Sequence, residues 1–384
     1  MSTGGAFRGW VPPTEVEHRL YEASVRDDTD AATQVLASAD LFILAPKAEV
    51  DADPERVHWR SHPEPGHRIV ITRGMLPPWH PDWVFHCVSL RWIATFHWDD
   101  AAPRPLVVNP GSPVQFLLPS AAHDRATWIQ YHARHRRSSK HRLVALRHGP
   151  LRGPLAFGLA CGGHLAVSNG VPWNEAGTLY MGYTVELGTL RDAWDVTDPS
   201  GWRGELDALL AGRNSPPEPD FVLSVRERLA AEIHGVPSAD LWRDAAAGHA
   251  QDLGASPESV REIGELVRRI VRYEARFRAD GLLPPEGRVR KTVAYDYGRA
   301  VNVARWGLSA RFCTPYEAER AIVHAGALSR AAYTSWEDFS AGYALGRVLR
   351  FDEEEYGSWY EDNVTGHRIL TEHEGSPWKH IPWH

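Results

Sequence analysis

The chain has 384 residues, more than a typical single domain, so two domains are expected. Hydrophobic residues make up 43% of it and charged residues 24%, ordinary globular values that exclude a wholly disordered chain. Because 49 Asp and Glu outnumber 42 Lys and Arg, the net charge is −7, whereas nucleic-acid-binding proteins are usually basic. Nucleic acid is therefore not the expected partner.

The cysteines and the apolar segments bear on the compartment. Cys87, Cys161 and Cys313 are odd in number and far apart, so no disulfide framework is expected and a reducing compartment is indicated. Residues 1–10 hold no apolar run that could serve as a secretory signal. The most apolar stretch, residues 155–171, is interrupted by four glycines and falls short of a membrane-spanning helix. A cytoplasmic protein without a membrane segment is predicted.

The first 120 residues carry most of the strand signals. Short apolar runs at 41–44 and 68–72 predict buried strands. Residues 84–98 are rich in aromatic and β-branched side chains, and predict one or two more strands. Residues 106–118 contain two apolar runs around an Asn-Pro-Gly-Ser turn, which predicts a hairpin. Together these signals predict a small α+β domain.

A basic stretch separates the two halves of the chain. Residues 123–148 hold seven Arg or Lys against one Asp, together with five His, so the remainder is more acidic than the net charge suggests. Such a stretch could contact nucleic acid or an acidic partner. The preferred interpretation is a solvated linker or helix face, assigned to residues 122–150.

Helical patterns dominate after this stretch. Ser256 and Ser335 are predicted N-caps, and Thr314 with Glu317 forms a predicted capping box. In the helix after Ser256, the acidic residues, including Glu274, are placed on the polar side opposite an apolar stripe. Helices are predicted near residues 14–39, 202–210, 256–280, 293–310, 314 onward and 335–351.

Two parts of the chain resemble known families. Residues 41–46 and 106–119, the latter with its Asn-Pro-Gly-Ser turn, resemble the N-terminal domain of the enhanced-serine-sensitivity protein SseB. From about residue 150 onward the chain is similar to domain-of-unknown-function family 1266. The matching segments are Asn169 to Asn174, Trp194 with Asp198, Leu206 to Leu210, Asp296 to Arg299, Ser335-Trp336 and Gly346-Arg347. The resemblances imply an architecture and a bacterial source, and they imply no catalytic mechanism or cofactor.

The predicted fold class is α+β, with a small mixed N-terminal domain followed by a mainly α-helical C-terminal domain. We assign residues 1–29 to an N-terminal extension and 30–121 to the SseB-like domain. Residues 122–150 form the predicted basic linker, and residues 151–384 the helical domain of unknown function.

The first candidate site is a polar set on the predicted helices. Asp296 and Arg299 lie on one helical face, and Arg347 adjoins the stripe that contains Trp336 and Tyr343. If these helices pack together, Asp296 meets Arg347 or Arg299. The set is then either a pocket, with Asp296 as base or ligand anchor and arginine as anion binder, or a buried ion-pair network that fixes helix register. The network is the preferred interpretation.

The second candidate is the turn at Trp173 and Asn174, which is either the wall of a ligand site or a packed loop whose Asn bonds the backbone; the packed loop is preferred. No metal site is predicted, because no ligand spacing such as CxxC or HExxH occurs. No cofactor is predicted either, since Walker and GxGxxG loops are absent from the sequence. Cys161 is interpreted as a small buried thiol.

The C-terminal tail combines acidic and aromatic residues. Residues 351–362 contain six Asp or Glu interleaved with Tyr356, Trp359 and Tyr360, and Trp378 and Trp383 follow. This composition is typical of an interaction surface, but the tail could equally wrap onto its own domain.

The predicted function is a non-enzymatic, cytoplasmic protein-binding module: a regulator, adaptor or immunity-type protein whose partner is another protein. This rests on the incomplete catalytic motifs and on the acidic, aromatic tail. The alternative is an enzyme or small-ligand sensor that uses an Asp/Arg pocket in the helical domain. The oligomeric state is left open.

Overall fold

The computed structural model describes residues 9–59, 67–96, 104–135, 140–176 and 182–384. In this part of the chain, one five-stranded sheet lies with several helices in the N-terminal region, and the C-terminal region is mainly helical. The predicted α+β class is confirmed. No helix in the described ranges is long and apolar enough to cross a membrane.

The N-terminal region alternates helices with strands around one core. Leu20 of its first helix and Leu36 of its second are fully buried in the same core as the sheet. The elements are α1 (Glu15–Val25), α2 (Thr29–Ala37), β1 (Leu41–Pro46), α3 (Lys47–Ala52), β2 (Arg68–Thr72), β3 (Trp83–Val88), α4 (Leu90–Phe96), β4 (Leu106–Val108), β5 (Phe116–Leu118) and α5 (Ala122–His135).

The sheet has the strand order β3-β1-β2-β4-β5, and β2 and β4 run parallel while the other neighbours are antiparallel. The predicted strands at 41–44 and 68–72 and the predicted hairpin are confirmed as β1, β2 and β4–β5. Asn109 in the hairpin turn has a φ of 48°, a left-handed conformation that Asn tolerates. Its side chain accepts a hydrogen bond of 2.8 Å from Thr72 N–H, which ties the turn to β2.

Of the one or two strands predicted at residues 84–98, the structure has one, β3, and residues 97 and 98 lie outside the described residues. After β3 the chain turns into α4, whose first turn is capped by the Ser89 hydroxyl, which accepts from Trp92 N–H at 3.1 Å. Leu90 and Ile93 are buried at helical spacing. The lower of the two predicted numbers is thus confirmed, and residues 90–96 are helical because aromatic and β-branched residues suit any buried surface and Ser89 caps a helix.

The stretch predicted as a basic linker forms a helix and a hydrogen-bonded segment among its described residues. Its first part is the helix α5, and Trp128 on this helix is buried in the sheet's core. The segment that follows bonds to both regions, since Arg147 N–H donates to Pro13 O and Arg142 N–H to Val167 O. Residues 136–139 of the stretch lie outside the described residues.

The C-terminal region is built around α13, in which every residue except Tyr297 is buried. Gly307 on α13 allows a close approach, because an added Cβ would lie 2.0 Å from the indole Nε1 of Trp202. The helices are α6 (Gly153–Cys161), α7 (Gly163–Asn169), α8 (Tyr183–Trp194), α9 (Pro199–Leu210), α10 (Glu218–Ile233), α11 (Ala239–Asp252), α12 (Pro257–Asp280), α13 (Ala294–Ser309), α14 (Pro315–Ala332), α15 (Trp336–Phe351), α16 (Ser358–Glu372) and α17 (Pro377–His380).

The predicted helix starts are confirmed. Ser256 and Ser335 cap α12 and α15, and Thr314 with Glu317 forms a complete capping box on α14. The prediction for Glu274 was wrong: its side chain is buried and forms a bidentate ion pair with Arg226 at 2.9 and 3.0 Å. Position 274 continues the apolar stripe by helical spacing, which the sequence already indicated.

The C-terminal tail wraps onto its own domain. Trp378 stacks on Trp336 with 5.3 Å between ring centroids, and Trp383 meets the same ring edge-on at 4.8 Å. The indole N–H groups of Trp378 and Trp383 both donate to backbone carbonyls at 3.0 Å. Both rings are buried, whereas Trp359 at the start of α16 keeps 43% of its surface exposed.

The two regions meet at Arg311. Its guanidinium donates to the backbone carbonyls of His80 and Trp83, and it lies 5.3 Å from the ring of Trp79. Trp79 in turn donates to Leu308 O at 3.1 Å. The Arg311 guanidinium is partly desolvated at this junction, and this burial lowers its pKa to about 10. The backbone carbonyl groups that accept from it hold it in place.

Candidate functional site

Asp296 is the most enclosed member of the predicted polar set. It is fully buried on α13 and forms an ion pair with Arg299 one turn later. Its Oδ1 accepts from Arg299 and from the Ser215 hydroxyl, and its Oδ2 accepts from the backbone N–H groups of Asn214 and Ser215 at 3.2 and 3.1 Å. These hydrogen bonds hold the loop between α9 and α10 against α13.

Arg299 is oriented by aromatic rings. Its guanidinium lies 4.0 Å from the ring centroid of Tyr295 and 5.5 Å from that of Trp194. It also donates to Tyr295 O at 3.2 Å and to the Ser215 hydroxyl at 3.0 Å. The two rings and these acceptors together fix the orientation of the Arg299 guanidinium.

Arg347 does not contact Asp296. The expected meeting of Asp296 with an arginine occurs with Arg299, whereas Arg347 pairs with Asp362 of α16 at 3.2 Å. The Trp359 ring lies 5.0 Å from the Arg347 guanidinium. The bond to Asp362 is the one hydrogen bond that Arg347 makes with the described residues, although a guanidinium carries five N–H donors.

Arg299 and Arg347 nevertheless share a cleft of about 630 Å³. Arg350 joins them there and donates to the backbone and side-chain oxygens of Asn214 at 3.3 and 3.2 Å. No carboxylate of the described residues lies within ion-pair distance of Arg350. Sequence reasoning missed this residue, although its spacing of three from Arg347 places both on one helical face. The cleft is also lined by Trp194, Tyr295, Trp306, Phe351 and Trp359.

The cleft contains acidic groups as well. Asp192 on its rim is paired with Arg191 at 2.7 Å. Glu205 accepts from the Asn214 amide, and burial raises the pKa of its carboxyl. Asp195 lies at the end of α8. Among the arginines that line the cleft, Arg191, Arg299 and Arg347 each have a carboxylate partner, so Arg350 is the one without an ion pair among the described residues.

Trp336 and Tyr343 lie away from the cleft. Trp336 belongs to the aromatic cluster under the tail and donates to Ile381 O at 2.8 Å. Tyr343 stacks on the buried ring of His164, with 4.3 Å between centroids and 1° between planes. These two members of the predicted set are core residues.

A buried chain of polar groups lies behind Tyr343 and was not predicted. His164 Nε2 and His367 Nδ1 each lie 2.9 Å from the hydroxyl of Ser340. Burial lowers the pKa of His164 well below its usual value, and the charges of His367 and Arg347 add to this effect. Burial also lowers the pKa of His367. Both rings are therefore neutral in the folded protein at pH 7.

The turn at Trp173 and Asn174 is a packed loop. The Asn174 amide accepts from Leu146 N–H and donates to Leu146 O, both at 2.7 Å, and Trp173 N–H donates to Val144 O at 2.9 Å. Asn174 is fully buried and Trp173 nearly so. The pair fastens the chain after α7 to residues 144–146, and neither residue lines the cleft.

The thiols do not form a reactive site. Cys161 is fully buried, as predicted, and burial raises its pKa to about 12. Burial has the same effect on Cys87 and Cys313. Within the described residues, no group of three or more His, Cys, Asp or Glu side chains is arranged to hold a metal ion.

Comparisons with known proteins give one match. The profile of a family described as protein of unknown function (DUF1266) matches residues 189–383. This range contains Arg299, Arg347, Arg350 and the three tryptophans that line the cleft, Trp194, Trp306 and Trp359. No curated protein and no solved structure matches the chain. The predicted similarity of the helical region is thus confirmed over this range, while the N-terminal resemblance to SseB stays a prediction.

Proposed function

The chain belongs to the DUF1266 family of proteins of unknown function, and we propose that it is a non-enzymatic binding module whose arginine-lined cleft receives an acidic group of a partner protein. The observation that carries this proposal is the pairing of Arg347 and Arg350 with an exposed indole, Trp359, on the wall of one cleft.

The composition of the cleft supports recognition of a protein. Trp, Tyr and Arg are the residues that contribute most to binding energy at protein interfaces. Arg347 and Arg350 bring cationic donors that suit a carboxylate, and their bonds with a carboxylate are stronger than neutral hydrogen bonds. Trp359 offers a half-exposed apolar surface next to them. An Asp or Glu side chain, or a chain's terminal carboxylate, fits this combination.

The state of Asp296 supports a role without catalysis. A general base needs an oxygen that can reach a substrate proton. Both oxygens of Asp296 are engaged by Arg299, by Ser215 and by the Asn214 backbone, and the residue is fully buried. Asp296 therefore serves the fold.

A small anionic ligand is the second candidate. The observation that favours it is the cleft's volume of about 630 Å³, within the range of roughly 300–1,000 Å³ typical of small-molecule sites. On this proposal the protein is a sensor that reads the ligand through the same arginines.

The remaining parts of the proposal concern the N-terminal region and the compartment. We keep the SseB-like assignment for residues 30–121 and a bacterial source as proposals based on resemblance. We also propose a cytoplasmic location, supported by three cysteines that are all free thiols.

The test is affinity purification of the intact chain from its source cells, followed by mass spectrometry of what comes with it. We expect one stoichiometric protein partner with the wild type. The variant Arg350→Gln/Trp359→Ala loses it, since removing a hot-spot residue costs ~2 kcal/mol or more, roughly a 30-fold loss in affinity.

The matched control is Arg268→Gln, because Arg268 is an exposed arginine on α12 outside the cleft. A partner retained by the double variant, or lost equally with the control, contradicts the proposal. A small anion found on the purified protein by native mass spectrometry, with no protein partner, replaces it with the second candidate.

A further inference from the structure

A second cavity, which we call the apolar groove, lies on the other side of Arg350 from the cleft. It has a volume of about 570 Å³ and is formed between α10, α11, α12 and α15. Most of its lining is apolar, including Phe221, Leu253, Leu266 and Leu349. A concave apolar cavity of this size is the usual form of a small-molecule site.

The groove is lined by small residues as well as large ones. Ala250 and Gly346 contribute to the lining together with Phe221 of α10 and Leu266 of α12. Leu253 at the end of α11 exposes 69% of its surface beside the groove. Covering such apolar surface is favourable at about 25 cal/mol per Å².

The charged side chains around the groove differ in whether they have an ion-pair partner. Arg269 is engaged by Glu354 at 3.5 Å and donates to Leu349 O at 3.2 Å. Arg350 bonds only to Asn214 oxygens among the described residues. Glu218 and Glu262 are exposed at the rim, where water solvates them. Arg350 is therefore the cation that an anionic head group can reach.

We propose that the apolar groove binds a free fatty acid, with the alkyl chain in the groove and the carboxylate on Arg350. The apolar lining accounts for the chain, and the guanidinium beside it accounts for the head group. The groove shares Arg350 with the cleft, whereas Ala255 and Leu266 line the groove alone, so substitutions at Ala255 or Ser259 test the groove without touching the cleft.

The experiment is a calorimetric titration of the full chain with hexanoate, octanoate and decanoate. Each added methylene that enters the groove is worth ~0.8 kcal/mol, so affinity rises roughly fourfold per carbon along the series. An affinity that does not change with chain length overturns the proposal. A decylamine that binds more tightly than decanoate also overturns it, because the head group would then lie against Glu218 and Glu262.

Amino-acid substitutions test whether the ligand binds in the groove. Ala255→Trp fills the groove and abolishes decanoate binding, and Ser259→Trp does the same from α12 if the first variant does not fold. Ala231→Trp adds the same side chain at an exposed position of α10 outside the groove and leaves binding unchanged. Arg350→Met weakens decanoate but not decanol. Decanoate binding that survives both groove variants refutes the proposal, whatever the outcome for the cleft.

Discussion

The substitution Asp296→Asn tests the structural role of the buried carboxylate. Asn keeps the size of the side chain but removes the charge that pairs with Arg299, and it places an amide N–H where backbone N–H groups already donate. Removing one partner of a buried ion pair costs about 3–5 kcal/mol. The free energy of unfolding should fall by that amount in urea denaturation followed by circular dichroism.

The control is Glu265→Gln, which breaks the ion pair with Arg268 at a position where both side chains are about half exposed. Such surface pairs are worth about 0–1 kcal/mol, so this variant should unfold nearly like the wild type. If Asp296→Asn changes the free energy of unfolding by less than ~0.5 kcal/mol, a typical surface effect, then the carboxylate is dispensable for the fold. Asp296 would then have to be regarded as a functional group again.

Three further predictions concern the tail, the junction and the buried histidines. Trp383→Ala should destabilise the fold by about 3–5 kcal/mol, as for other buried Trp, whereas Trp359→Ala should cost far less; denaturant unfolding compares them. Arg311→Ala removes donors to the N-terminal region and should cost about 1–3 kcal/mol, with faster proteolysis at the junction. Burial lowers the pKa values of His164 and His367. Below pH ~6.5 these histidines are therefore protonated in the unfolded state but still neutral in the folded state. The free energy of unfolding then falls as the pH is lowered, by up to about 1.4 kcal/mol per pH unit for each histidine. His164→Phe should reduce that slope, and an unchanged slope means that His164 is not the group responsible.

Local chemistry accounts for the features that the sequence predicts well. The capping box at Thr314 and Glu317, the serine caps and the hairpin turn at Asn109 depend on residues within a few positions of one another. The strand β1 follows from an unbroken apolar run. The ion pair of Asp296 with Arg299 follows from helical spacing, because residues three apart share a face.

The features that were missed depend on distant parts of the chain. Whether the tail is exposed or buried depends on whether Trp378 and Trp383 find the space beside Trp336, which no local pattern encodes. The cleft is lined by residues of six helices and of the loop that holds Asn214, so the role of Arg350 emerges only when α9, α13 and α15 come together. Residues 90–96 show that apolar content alone does not distinguish a buried helix from a strand.

The central claim is that the cleft binds an acidic group through Arg347, Arg350 and Trp359. Its most direct test is the dissociation constant of the captured partner, measured by calorimetry for the wild type, Arg350→Gln and Trp359→Ala. We predict that each variant weakens binding by tenfold or more, since a tenfold loss corresponds to about 1.4 kcal/mol, and that neither changes thermal stability appreciably. Dissociation constants equal to that of the wild type in both variants would contradict the assignment of the cleft.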